Sequence, residues 1–287
     1  MKFIRNYEIR ITTPSGYAIT IAPPITCSLE VEQSVKGSSL SNSSVTITNL
    51  APNTRARLGK DKFTPVDYWQ IIILAGYGNA LIEIFRGNIQ EGYSYKQGTE
   101  WITKLECYDG AYQVQNGFMS ETFTKDMNLK DMISRSVKSM PQLLSGVLGS
   151  PAEKASPARG RVVIGNPYDE IQKMSDGQAF ISGEKLYVLA DNEVMPGEIF
   201  VLSAEDNKTT PKRRDGYLEV ERIFSPELKV GRIAEVRSMV EKYNGQYKIF
   251  GVKHSAVFSQ AEAGDATTTV SLFIGSEPLL EIKGEEN

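Results

Sequence analysis

Histidine is almost absent from this 287-residue chain: His254 is the one example, beside two cysteines and two tryptophans. A nucleophilic triad, imidazole acid–base chemistry or a zinc site would have to rest on that single side chain, without the converging partners such chemistry needs. Its segment "GVKHSAVF" has a strand pattern, so a packed or hydrogen-bonded role is expected. Cys27 and Cys107 lack CxxC spacing, which argues against a zinc or redox motif. Both fall in strand patterns, where a disulfide is permitted but two buried free thiols are the preferred reading.

Also missing is a surplus of charge. Basic and acidic residues number 11 and 10 over 1–115, 9 and 12 over 116–205, and 12 and 13 over 206–287, for a net charge of −3. No segment carries the basic excess that nucleic-acid binding requires. No apolar run approaches the ~20 residues of a membrane span, and "MKFIRNYEIRITTPSG" lacks the continuous apolar core of a signal peptide. The expectation is a chain that stays where it is made, with no membrane insertion.

What the sequence has is alternation. Tyr7, Ile9 and Ile11, then Val45 and Ile47, then "YWQIIILAGYG", "ALIEIFRGNIQEGYSY" and "WITKLECYDG" run through residues 5–108, and a shorter set lies within 217–275. Period two buries one face of a sheet and wets the other, so each stretch predicts a small antiparallel barrel or sandwich. The first module has a turn at "TTPSG" and one or two helical turns at 51–59, while 35–44 has loop composition. Between the modules the period changes. Leu129, Met132, Ile133, Val137 and Met140 recur at helical spacing behind Asn128, and Asn166–Pro167 opens a second helix closed by Gly177. "QAFIS" and "EKLYVLAD" flank "SGE" as a hairpin. Residues 145–160, rich in Gly and Pro, read as an exposed flexible linker, and the tail "KGEEN" as frayed. The domain expectation is 1–115, 116–205 and 206–287.

Other motifs have plain readings. "AGYGNA" at 75–80 lacks the glycine pattern and following helix of a phosphate loop and reads as a hairpin turn. Glu219 and Glu221 share one strand face, which superficially suits a glycosidase pair but is the usual look of a wet face. Lys208, Lys212, Arg213 and Arg214, beside Asp206 and Asp215, read as a solvated loop or a docking contact. Asn42 and Asn207 begin chance N-x-S/T triplets. No catalytic, cofactor-binding or metal residue is assigned, and the chain is not expected to be an enzyme.

Several phrases, in order, resemble a known family. "SSVTITNLAPNTRARL" at 43–58, "IIILAGYGNALIEIFRGNIQ" at 71–90 and "KLECYDG" at 104–110 are similar to the first barrel of baseplate hub and related bacteriophage tail proteins. "SPELKVGRIAEVRS", "NGQYKIFGVKHSAVF" and "GDATTTVSLFIG", within 225–275, resemble the second, although Ala266 stands where members often carry Trp. The resemblance implies a mainly β (α+β) protein with two tail-tube-like antiparallel barrels around a small α/β insert. It also implies a trimeric hub of a contractile tail, in the virion, with the tail tube or a tube-initiating protein above, the spike below and other baseplate proteins around. DNA would pass its lumen without specific binding. Two alternatives stand beside it: a distal tail or tube protein of a non-contractile phage or a secretion-system spike hub, and a cell-wall hydrolase with a β-rich binding module.

Overall fold

The computed structural model describes residues 4–35, 40–61, 63, 65–153, 159–259, 264–275 and 277–282. The first third holds β1 (Arg5–Thr12), β2 (Ala18–Ile21), β3 (Cys27–Ser34), β4 (Asn42–Thr48), α1 (Pro52–Leu58), β5 (Gln70–Tyr77), β6 (Ala80–Gln97) and β7 (Glu100–Tyr108). Alternation does what it predicts: Tyr7, Ile9, Ile11, Val45, Ile47, Ile71 and Ile73 are all buried on one side of these strands. "TTPSG" joins β1 to β2. β5 turns into β6 through Gly78 and Asn79, with Tyr77 opposite Ala80, and the positive φ of Gly78 suits a two-residue hairpin turn. "AGYGNA" is therefore a hairpin, as expected.

The middle third holds α2 (Ala111–Gln115), β8 (Met119–Phe123), α3 (Leu129–Lys138), β9 (Leu144–Leu148), β10 (Arg161–Gly165), α4 (Pro167–Met174), β11 (Ala179–Ser182) and β12 (Lys185–Val188). Both expected helices form. The side chain of Asn128 caps α3 by accepting from the Asp131 amide at 2.7 Å, and that of Asn166 caps α4 by accepting from the Tyr168 amide at 2.8 Å. Met132, Ile133 and Val137 meet Tyr168 and Ile171 in one apolar cluster. The expected flexible linker 145–160 is corrected over its first half. Leu144–Leu148 pairs in parallel with β12, and the next turn, Ser150–Glu153, is a 3-10 helix with Pro151 and Ala152 buried. Glycine and proline serve packing here: a Cβ on Gly146 would meet the Leu186 carbonyl oxygen at 2.8 Å. Residues 154–158 of that segment, like the tail 283–287 and 36–39 of the expected loop, lie outside the described residues.

The last third holds β13 (Glu193–Val194), β14 (Phe200–Ser203), β15 (Lys212–Arg214), β16 (Tyr217–Ile223), β17 (Ile233–Arg237), β18 (Gly245–Phe258), β19 (Ala266–Phe273) and β20 (Leu280–Glu281). Two separate closed barrels are not what these strands build with the first third. One 13-stranded sheet runs β15-β16-β19-β18-β3-β4-β7-β6-β5-β1-β2, with β17 and then β14 branching from β18. Antiparallel pairing of β3 with β18, from Cys27↔Phe258 to Ser34↔Gly251, welds the two sets of strands together. Among the described residues the sheet does not close on itself. The apolar face is nonetheless split into two clusters, one around Ile9, Leu29, Val45 and Phe85, the other around Leu202, Val220, Ile249 and Val270.

The sheet is also a duplication. β4-β7-β6-β5 and β16-β19-β18-β17 are four strands in the same chain order and the same spatial order. Their registers agree rung by rung. Asn42↔Tyr108↔Asn88 in one half corresponds to Tyr217↔Phe273↔Lys248 in the other, and both inner hairpins carry a one-residue irregularity at the next step, after Ile89 and after Ile249. Ser94 and Thr103 share a side-chain hydrogen bond of 3.0 Å across β6 and β7, and the equivalent pair, His254 and Thr268, shares one of 2.9 Å. At the next rung on that side exposed Trp101 matches buried Ala266, so the tryptophan missing from the last strand is present in its counterpart.

Candidate interaction face

Seven adjacent strands, β16-β19-β18-β3-β4-β7-β6, present one unbroken face away from the apolar clusters. One rung of it runs Ile223, Thr267, Ser255, Glu30, Ser44, Glu106 and Glu91, crossing both halves of the duplication. Most of these side chains are half-buried by their neighbours, as on a pleated polar surface where cross-strand pairs touch. Ser44, for instance, donates to Glu106 at 2.9 Å. The face carries Glu30, Glu32, Glu91, Glu106, Glu219 and Glu221 against Lys104 and Lys253, so it is acidic. Threonine and serine fill much of the rest, with Ile223, Tyr93 and Tyr95 toward its margins. Glu219 and Glu221 thus lie on a wet face, the reading their spacing gave.

The middle third is fixed to the first by a knot of buried acids. Asp109, at the end of β7, accepts backbone hydrogen bonds from Gly183 at 2.6 Å and Glu184 at 2.9 Å, gripping the turn between β11 and β12. Glu184 in turn accepts from Gln70 at 2.8 Å and Gln113 at 3.1 Å. Burial pushes the Asp109 carboxyl up to about 7, against the two amides that favour its charged form. Beside this knot lies a cleft of about 420 Å³, where all three thirds meet, lined among others by Arg86, Glu184, Tyr187 and Arg232. Arg86 is already held by Glu83 at 2.6 Å. Among the described residues no three His, Cys, Asp or Glu side chains converge as metal ligands would.

His254 is buried, its ring centroid 5.6 Å from that of Phe224 in a T-shaped pair, and its Nδ1 meets the Thr268 hydroxyl. That hydroxyl also accepts from the Ser225 amide at 2.9 Å, which ties His254 to the turn after β16. Desolvation lowers its pKa to about 4. Cys27 and Cys107 are free, buried and not paired with each other, as preferred. Their strands flank β4, where Cys27 faces Ile47 and Cys107 faces Ser43, four residues apart. The basic cluster is corrected. Lys212, Arg213 and Arg214 form not a loop but β15, an exposed strand at the end of the sheet, while Lys208 pairs with Asp265 at 2.7 Å. Sequence reasoning missed Asp109, Glu184, buried Arg222 with its partner Asp206, and Glu193, which accepts from the Ser150 and Ala190 amides at 2.8 Å each. The "YDG" and "SGE" turns offered the only trace of the first two.

The chain is thus a duplicated antiparallel sheet with an inserted helical unit and an extended polar face. Solved structures agree on the fold. The tail protein from Neisseria meningitidis MC58 superposes with a TM-score of 0.58 at 9% identity, over 93% of this chain and 96% of that one. The 43 kDa tail protein of prophage MuSo2 from Shewanella oneidensis gives 0.60 at 8% identity, over 93% and 97%. The E. coli c3393 protein, a component of the type VI secretion system, gives 0.55 at 10% identity, over 91% and 76%. A search of curated protein sequences gives no match. The family is settled by the sequence itself: residues 8–259 match the model for baseplate hub gp41, and the chain belongs to that family. It is a structural protein of the tail baseplate, a virion component and not an enzyme, which overturns the hydrolase alternative. Among the described residues no helix is long and apolar enough to cross a membrane.

Proposed function

We propose that three copies assemble as the hub of a contractile tail, each supplying two tube-like half-sheet units, so that six similar units form a ring. Such a ring matches a hexameric tail tube, or a tube-initiating protein, on one side and a threefold spike on the other, with other baseplate proteins around it. The observation that carries this reading is the duplication: two half-sheets with one strand order and one register are what a threefold ring needs to imitate sixfold symmetry. The units would be residues 1–115 and 206–287, with 116–205 as the insert, a division favoured by the three apolar clusters.

In this reading the seven-strand polar face lines the channel. Its acidic balance favours free passage of DNA, because lysines and arginines there would grip phosphates and slow it. The fold likeness to a type VI secretion component keeps a second reading, a secretion-system spike hub, within the same geometry. Native mass spectrometry of the purified chain, alone and with its spike partner, tests the ring: a trimer is expected, and monomer under both conditions contradicts it.

A further inference from the structure

The duplication leaves one equivalence unfilled. In the first half, β3 pairs with β4 on one side and on the other receives the second half, through Glu30↔Ser255, Val31↔His254 and Glu32↔Lys253. The counterpart of β3 is β15. Lys212, Arg213 and Arg214 face Glu219, Leu218 and Tyr217 on β16, the rungs equivalent to Ser44, Ser43 and Asn42 on β4. Yet among the described residues β15 pairs with β16 alone, and its outer edge carries no strand.

The counterpart of the β18 segment that receives β3 is equally identifiable. Lys253, His254 and Ser255 face Thr269, Thr268 and Thr267 as Tyr93, Ser94 and Tyr95 face Lys104, Thr103 and Ile102. On the side away from β7, this outer part of β6 carries no strand among the described residues. Gly92 exchanges both of its backbone hydrogen bonds with Lys60 on that side, at 2.7 and 2.8 Å. Alternation along the strand then turns the N–H and C=O of Ser94 and Lys96 toward the same edge.

We infer that β15 of one copy adds as an antiparallel strand to this edge of β6 in a second copy, with Lys212 opposite Tyr95, Arg213 opposite Ser94 and Arg214 opposite Tyr93. The chemistry fits the register. Tyr93 and Tyr95 stack 6.1 Å apart and are 42% and 38% exposed, so two cations laid across from two half-open rings gain cation–π contact. Glu91 lies diagonal to Arg214 on the same face, within reach of a long side chain. The junction inside the chain uses the opposite sign, with Glu32 opposite Lys253, and transplanting β15 there would put Arg214 against that lysine. The two junctions are therefore chemically distinct although their backbones are equivalent. Pairing of this kind joins the second half of one copy to the first half of the next, covers both open edges and propagates the polar face around the ring.

The inference rests on the ring reading, and cysteine cross-linking separates the two. Directly opposed residues of an antiparallel pair lie ~5.5 Å or less apart at Cα, within disulfide range. The double variant Arg213→Cys with Ser94→Cys, oxidised in the assembled state, should give covalent dimers and trimers on a non-reducing gel, absent from either single variant. Arg213→Cys with Gln97→Cys, three residues out of register, should give none. Native mass spectrometry under reducing conditions reports assembly in parallel. A trimer in which neither this pair nor Lys212→Cys with Tyr95→Cys cross-links overturns the strand pairing and leaves the ring; equal cross-linking of the out-of-register control overturns the register. Monomer for the unmutated chain, alone and with its spike partner, overturns ring and pairing together.

Discussion

Asp109→Asn should change how stability depends on pH, and the sign of that change is the informative part. Asp109 has no exposed surface, and burial lifts its pKa from 3.8 to about 7 despite the amides of Gly183 and Glu184. A carboxyl with a raised folded-state pKa holds its proton more tightly in the fold than in the unfolded chain. Its contribution is complete below pH 3.8 and is lost as pH rises to about 7. At ~1.4 kcal/mol per unit, the loss over this window is about 4 kcal/mol. Asparagine is neutral throughout and still offers an acceptor to the turn. The stability of the variant minus that of the parent, from urea unfolding at a series of pH values, should therefore move in the variant's favour by about 4 kcal/mol between pH 4 and pH 8. Titrating groups remote from Asp109 cancel in the difference. A flat difference, or one that moves toward the parent as pH rises, would mean that the two amides hold Asp109 ionised and that the burial argument is wrong.

His254 predicts the opposite slope: its pKa falls from 6.5 to about 4 in the fold, so its contribution is present above pH 6.5 and lost as pH falls to about 4. Between pH 7 and pH 4 the parent should lose about 3 kcal/mol more than His254→Asn, read by the same unfolding titration. Cys27 and Cys107, both buried and with burial raising their pKa values, should ignore a thiol reagent in the native protein and react fully in denaturant; fast native labelling would contradict their placement. Gly92→Ala should cost about 3 kcal/mol, because a Cβ there would sit 2.2 Å from the Leu58 carbonyl oxygen. Gly216→Ala, with open space around it, should stay within about 0.5 kcal/mol, both variants being read by urea unfolding.

Local structure was legible because it is written locally. Alternation located the long strands, Asn128 and Asn166 announced their helices, and the family phrases gave the baseplate hub family that the comparisons bear out. What stayed hidden was long-range. Nothing in "TCSLEVEQS" says that β3 is an interior strand, because an alternating strand with glutamates on its wet face looks the same whether one or both edges are paired. From sequence the continuous sheet therefore looks like two closed modules. β15 reads as a loop in the sequence because three consecutive basic residues look solvated, and on an open edge they are. Residues 145–153 of the expected linker 145–160 are packed because Gly and Pro, which signal turns by composition, here permit close approach to Tyr187 and Glu193. The rung-by-rung duplication leaves little trace in residue identity: Ser94 answers to His254, Glu30 to Lys212 and Trp101 to Ala266. Registers preserve what side chains do not.

The ring of paired half-sheets is tested most directly by a threefold-averaged image of the assembled tail tip. Three chains should enclose one channel with six sheet units around it, alternately first and second halves, the polar face of β16 through β6 turned to the bore. A tip in which that face points outward, or in which the two halves of each chain do not alternate around the axis, would contradict the account.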